Sequence, residues 1–301
     1  MTLTDACKQF LRHCKSAVSL SQHALRAYSS DLADTQQYFG LRKKIGAVQK
    51  DHLRQYIRHL REHRKFKETT IKRRLASLKL LFKWAMQEKF IEYNPFDSLN
   101  ERIRLPKRLP RALDRGDQAM LRKAVSINSR ADDFDSIRGK TAIHLLLDTG
   151  IRIGELVDIN LSDLSLSSGC LVINGKGNRQ RLVYLLQKPL NRKIEQYLTR
   201  RSALTTCAEK LFVSSNGKAI VPLNVRVALS NIAKGAGVSK HVTPHMLRHT
   251  CATQWLEAGL DIRYVQKLLG HQSISTTEIY THVSDQGLRE ALFRAAGGIK
   301  R

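Results

Sequence analysis

"TPHMLRHTCATQWLEAGLDIRYVQKLLGHQSISTTEIYTHV", residues 243–283, decides how the rest of the chain is read. Thr243 offers a hydroxyl suited to an N-cap, and Pro244 has the fixed φ of a first helical position. The spacing therefore predicts a helix starting here, and "DIRYVQKLLGH" predicts a second, short one ended by Gly270. His245 and Arg248 stand three residues apart, so a helix turns both to one face. His271 lies just past Gly270. The polar "QSISTTE" then leads to a tyrosine, Tyr280, that no apolar core demands. A tyrosine can pack, hydrogen-bond or act as a nucleophile.

Moving outward, "RGKTAIHLLLDTG" (138–150) reads as a buried helix ended by Gly150. Arg152 opens the next segment, with Glu155 one turn later where it can orient the guanidinium. "GCLVINGKGNRQRLVYL" (169–185) carries two β-rich runs joined by a Gly-Lys-Gly-Asn turn, a hairpin with Lys176 at its tip. Further helices are expected over "NRKIEQYLTRRSAL" and "VRVALSNIAKGAG". This half is mixed α+β, mostly helical, with a small sheet.

The N-terminal half differs. Residues 1–98 read as nearly all helical, with Ile71, Leu75, Leu78, Phe82 and Ala85 forming one stripe. Between Arg54 and Lys83 there are eleven basic residues and two acids. A solvated face is the ordinary reading of one such helix, but this density favours nucleic-acid contact. Lys72, Arg73, Arg74, Lys79 and Lys83 are the candidate DNA contacts here, with Arg179 and Arg181 in the hairpin. Residues 99–113, with two prolines and five basic residues in "NERIRLPKRLPRAL", read as an extended basic linker. The expected division is thus 1–98, linker 99–113, and 114–301.

Composition agrees. The 301 residues carry 52 Lys plus Arg against 26 Asp plus Glu, a formal net charge of +26. Such self-repulsion points to a polyanionic partner. No apolar run approaches the roughly 20 residues of a spanning helix, so nucleic acid is favoured over a membrane. The five cysteines are scattered without CxxC spacing, and read as reduced thiols of a cytoplasmic protein. No metal-ligand spacing and no cofactor motif is present.

Arg152, Lys176, His245, Arg248, His271 and Tyr280 together offer what a phosphodiester would need for attack without metal. Arginine forks match non-bridging oxygens bidentately, and histidine can donate to them or take a proton. Each residue alone has a plainer reading: an ion-paired arginine, turn chemistry, a solvated helix face, a C-terminal cap, core packing.

Taken in order, "DTGIRIGELVDI", "INGKGNRQRLVYL", the stretch 243–283 and the linker "LPKRLPRAL" resemble the tyrosine recombinase (integrase) family, and its Xer-like members most closely. The resemblance implies an α-helical, SAM-like core-binding domain ahead of the catalytic domain. It implies that Arg152 and Arg248 clamp the scissile phosphate, and that Lys176 protonates the departing 5′-oxygen. His245 would move a proton near the tyrosine, His271 would donate to a non-bridging oxygen, and Glu155 would support the site. Tyr280 would be the nucleophile, forming a 3′-phosphotyrosine bond without metal, ATP or cofactor. The partners implied are double-stranded DNA with inverted-repeat core sites and a homotetramer on synapsed DNA, with a related recombinase as an alternative co-subunit. The location implied is the cytoplasm, at the nucleoid. The segment after Tyr280, with Leu288, Leu292 and Phe293, would dock on a neighbouring protomer or pack intramolecularly. A type IB-like DNA-relaxing enzyme and a non-catalytic DNA-binding protein are the alternatives.

Overall fold

The structure, a computed structural model, describes residues 1–17, 20, 22–99, 101, 103, 112–127, 132–175, 179–205 and 208–270. Lys176, His271, Tyr280, the segment after it and residues 104–111 of the expected linker lie outside them. The described residues form eleven α-helices and one three-stranded antiparallel sheet. The chain divides into two compact units, Met1–Arg108 and Leu109–Arg301.

The first unit is helical: α1 (Leu3–Ser16), α2 (Gln22–Phe39), α3 (Lys50–Glu62) and α4 (Glu68–Gln87). α1 begins at Thr2, whose hydroxyl accepts from the Asp5 amide, and buries Leu3, Ala6, Cys7, Phe10 and Cys14 at helical spacing. α3 contributes Leu53, Tyr56, Ile57 and Leu60 to the same core. α4 buries the expected stripe and also Leu81 and Trp84, so its apolar face is wider than the sequence suggests. Removing a side chain such as Phe82 from water is worth about 1.5–3 kcal/mol.

Lys72, Lys79 and Lys83 are exposed on α4, as is Arg73, whose Nη1 reaches Asp31 at 2.5 Å. Arg74 departs from the expectation of a solvent-facing contact. It is buried, with Nη1 2.8 Å from Asp34 Oδ2 and its guanidinium 4.6 Å from the Phe66 ring centre. A buried guanidinium needs an acid, and α2 supplies one.

In the second unit, α6 (Phe134–Thr149) is buried on nearly every side and packs against α5 (Arg115–Ser126), α8 (Lys188–Ser202), α9 (Pro222–Gly235) and α10 (Pro244–Glu257). It begins at Asp133, whose side chain accepts from the Ser136 amide, and ends at Gly150 in the left-handed region, φ +60°. α7 (Ile153–Asp158) follows at once, and α11 (Ile262–Leu269) closes the described chain at Gly270, φ +67°. The expected start of α10 is found: Thr243 Oγ1 accepts from the Met246 amide.

The sheet runs β1 (Leu164–Ser165), β2 (Cys170–Gly175) and β3 (Arg179–Tyr184). Ile173 pairs with Arg181, and Gly175 with Arg179. Two-residue β1 lies below the length at which sequence alternation is visible, and was not foreseen. Leu171, Ile173 and Val183 face the core, while Leu182 and Tyr184 are about half exposed on the other face.

Candidate active site

Arg152 is the N-cap of α7, and Glu155 sits one turn on. Glu155 Oε2 accepts from the Arg152 amide at 2.8 Å, and Oε1 from Arg152 Nη1 at 3.0 Å. The sequence D-T-G-I-R-I-G-E thus folds into a left-handed turn, a cap and an acid that folds back on the cap. Arg152 keeps a side chain 41% exposed, while that of Glu155 is 9% exposed. Burial pushes the Glu155 carboxyl up. Hydrogen bonds from Arg181 and from the Arg152 amide, with both guanidinium charges, outweigh burial and hold it below the usual carboxylate range.

Arg248, on α10, is 3% exposed. Its Nη1 donates to the Gly150 carbonyl at 2.8 Å and its Nη2 to the Leu269 carbonyl at 2.7 Å. One guanidinium thereby fixes the ends of α6 and α11, two residues before Arg152 and two before His271. Gly150 is required here twice over. Its φ is positive, and a Cβ would stand 3.0 Å from Leu269 Cδ2 and 3.3 Å from Cys251.

Beneath this turn lies an ion pair between Arg122 and Asp148. His144 Nε2 lies 3.4 Å from Asp148 Oδ2. Burial pulls the His144 imidazole below its ordinary range against the pull of Asp148. Behind α10, Thr250 Oγ1 accepts from the Leu113 amide at 2.8 Å, and Lys240 pairs with Asp114 and Asp117. The start of the second unit is therefore fastened to the helix that carries His245 and Arg248.

His245 lies near enough to Arg248 and Arg152 to feel both. Burial first, then these two charges, lower its imidazole pKa. His249, one turn on, is brought down to about 4 by burial, with His245 and Arg248 adding repulsion. The structure thus brings Arg152, Glu155, His245 and Arg248 together. Sequence reasoning passed over His249, although its i+4 spacing from His245 places it on the same helix flank.

The hairpin is where expectation and structure part. Arg181 does not present its charge outward. Its Nη1 and Nη2 donate to Glu155 Oε1 and Oε2 at 3.0 and 2.7 Å, and its Nε donates to the Leu268 carbonyl at 2.9 Å. The side chain is 13% exposed. Arg179 opens β3, opposite Gly175.

A pH dependence follows from His249. Unfolded, it takes a proton near 6.5; folded, only near 4. The unfolded chain binds more protons between these values, so stability is full above about 6.5 and is lost as pH falls towards 4. The melting temperature should drop over that window, and more shallowly for His249→Gln. An unchanged slope in the variant would show that His249 is not its source.

Among the described residues no three His, Cys, Asp or Glu side chains are grouped to hold a metal ion, and no helix is long and apolar enough to cross a membrane. Residues 120–287 match the phage integrase family, and residues 7–89 the N-terminal SAM-like domain of phage integrases. The chain is 35% identical to a tyrosine recombinase XerC of Thermodesulfovibrio yellowstonii, over 93% of this chain and 92% of that one. It is 33% identical to a tyrosine recombinase XerD of Halalkalibacterium halodurans, over 96% of each. Its fold is similar to that of a XerH site-specific recombinase, with TM-score 0.77 at 24% identity over 95% of this chain and 84% of that one. The chain belongs to the phage integrase family and is a tyrosine recombinase, an enzyme that cleaves and rejoins DNA.

Proposed function

We propose that this recombinase cuts each strand by direct attack of Tyr280 on a phosphodiester, at a site built from Arg152, Glu155, Lys176, His245, Arg248 and His271. The Tyr280 oxygen bonds to phosphorus as the bond from phosphorus to the 5′-oxygen breaks, leaving a 3′-phosphotyrosine. His245, neutral at pH 7 because burial and two arginines disfavour its charge, takes the phenol proton. Lys176 gives a proton to the departing 5′-oxygen. Arg152 and Arg248 oppose the charge gathering on the non-bridging oxygens, and His271 donates to one of them. The phosphodiester's energy is kept in the phosphotyrosine bond. A 5′-hydroxyl from a second strand reverses the reaction, with no ATP consumed and no metal needed.

The observation that supports this reading most is that Arg248 reaches the ends of both α6 and α11, the two segments that lead to Arg152 and to His271. A clamp built this way has little to reorganise when charge develops between its arms. The recombinase would act on inverted-repeat core sites as four protomers on two synapsed duplexes, alone or with a related recombinase, in integration, excision or dimer resolution at the nucleoid. The exposed Lys72, Arg73, Lys79 and Lys83 would contact the DNA backbone.

The test is recovery of protein–DNA adducts from cells under denaturing conditions, with sequencing of the attached DNA. Adducts concentrated at one inverted-repeat locus support site-specific recombination. Adducts dispersed over the genome would point instead to a DNA-relaxing enzyme, and none at all to a binding role.

A further inference from the structure

We infer that Arg181 is a positioning residue of the cleavage reaction, one that locks Glu155 to the end of α11 and so sets where Arg152 stands. The inference rests on the site assignment under Proposed function.

Its basis is how fully the guanidinium is spent. Both terminal nitrogens engage both oxygens of Glu155 in parallel, and Nε engages the Leu268 carbonyl. All three nitrogens of a side chain 13% exposed are thus held by the protein's own acceptors. The strand explains the direction. Arg181 shares its face with Val183, which is buried, and is the register partner of Ile173, which is also buried. A charged side chain on the inward face of a sheet must meet an acid there, and Glu155 is that acid.

Glu155 is in turn shared. The same two oxygens that take Arg181 also take the Arg152 side chain and amide. Arg152 holds each oxygen once, one by its amide and the other by Nη1. Arg181 supplies the second, planar grip, and its third bond ties that grip to α11. Gly270 adds an independent sign of close fit. A Cβ there would stand 3.1 Å from Arg181 Nη1 and 3.2 Å from Cζ. One side chain thereby joins strand β3, the pair Arg152–Glu155, and the end of α11.

Lysine keeps the charge but lacks the fork, so Arg181→Lys isolates the geometry. The probe is a nicked duplex carrying the cleavage site recovered from adduct mapping, at saturating protein, with covalent complex followed in single turnover well below the melting temperature. The variant should cleave about 10- to 100-fold more slowly, since small misplacements at a reacting centre cost about that much. Its DNA affinity should stay within about twofold and its salt dependence unchanged. Because Arg181 acts through Glu155, the double variant with Glu155→Gln should be little slower than the slower single one. A wild-type rate for Arg181→Lys overturns the inference. So does weaker binding with a salt slope reduced by about one, which marks a direct phosphate contact. Multiplying losses in the double variant would overturn it as well. A wild-type protein that forms no adduct overturns the site assignment itself, and this inference with it.

Discussion

Tyr280→Phe is expected to abolish the covalent protein–DNA adduct while leaving DNA binding within about twofold of wild type. The substitution removes one oxygen and keeps the ring. Loss of a nucleophile in a concerted site commonly costs at least about 10⁴-fold, and here the product of the first step cannot form at all. Denaturing electrophoresis of protein incubated with a nicked duplex measures this directly. A residual adduct at a few per cent of wild type would mean that a second residue attacks, and the assignment of Tyr280 would be wrong. Full binding with no adduct would separate recognition from chemistry in one variant.

The second large effect concerns the two arginines, which should fail in different ways. Arg248→Ala removes one arm of the proposed phosphate clamp, worth about 10²–10³-fold in cleavage by analogy with single charge-stabilising donors. It also strips the Gly150 and Leu269 carbonyls of buried donors. Each orphaned polar group costs about 1–3 kcal/mol, so the variant should lose several degrees of melting temperature besides its activity. Arg152→Ala should lose cleavage to a similar extent with little change in melting, because its side chain is 41% exposed. Thermal unfolding and single-turnover cleavage on both variants check the contrast. Equal melting losses would show that Arg152 bears structural weight that its exposure does not suggest. If Arg248→Ala does not fold, Arg248→Lys keeps a donor at the site and retains the comparison.

Much of this arrangement was legible in the sequence, for reasons that differ along the chain. The helix ends were plain because each rests on local chemistry: Thr243 and Pro244 at the start of α10, Gly150 and Gly270 at positive φ after α6 and α11. The hairpin was legible from its β-rich runs and glycine turn. What stayed hidden was the direction of its arginines. In "RQRLVYL" apolar residues fall on both faces, Leu182 and Tyr184 outward and Val183 inward, so alternation does not say which way Arg181 points. Its partner is 26 residues away in the chain, and nothing local announces it. Arg74 is the same case in the helical unit. It sits in a run of basic residues that reads as one solvated face, yet the wide apolar stripe of α4 carries it inward to Asp34. In both places a long-range acid decides what an arginine does, and pattern reading measures only neighbours.

Cys251 gains a use from where it lies. It sits 2% exposed on the seam between α6 and α10, against Gly150, and burial together with the Asp148 charge pushes its thiol well above its ordinary range. A thiol so placed is silent to alkylating reagents until that seam parts. With Cys7 and Cys14 replaced by alanine and Cys170 and Cys207 by serine, the pace at which a maleimide finds Cys251 becomes a clock for breathing at the arginine turn. Run with and without DNA, that clock times how long the turn stays shut.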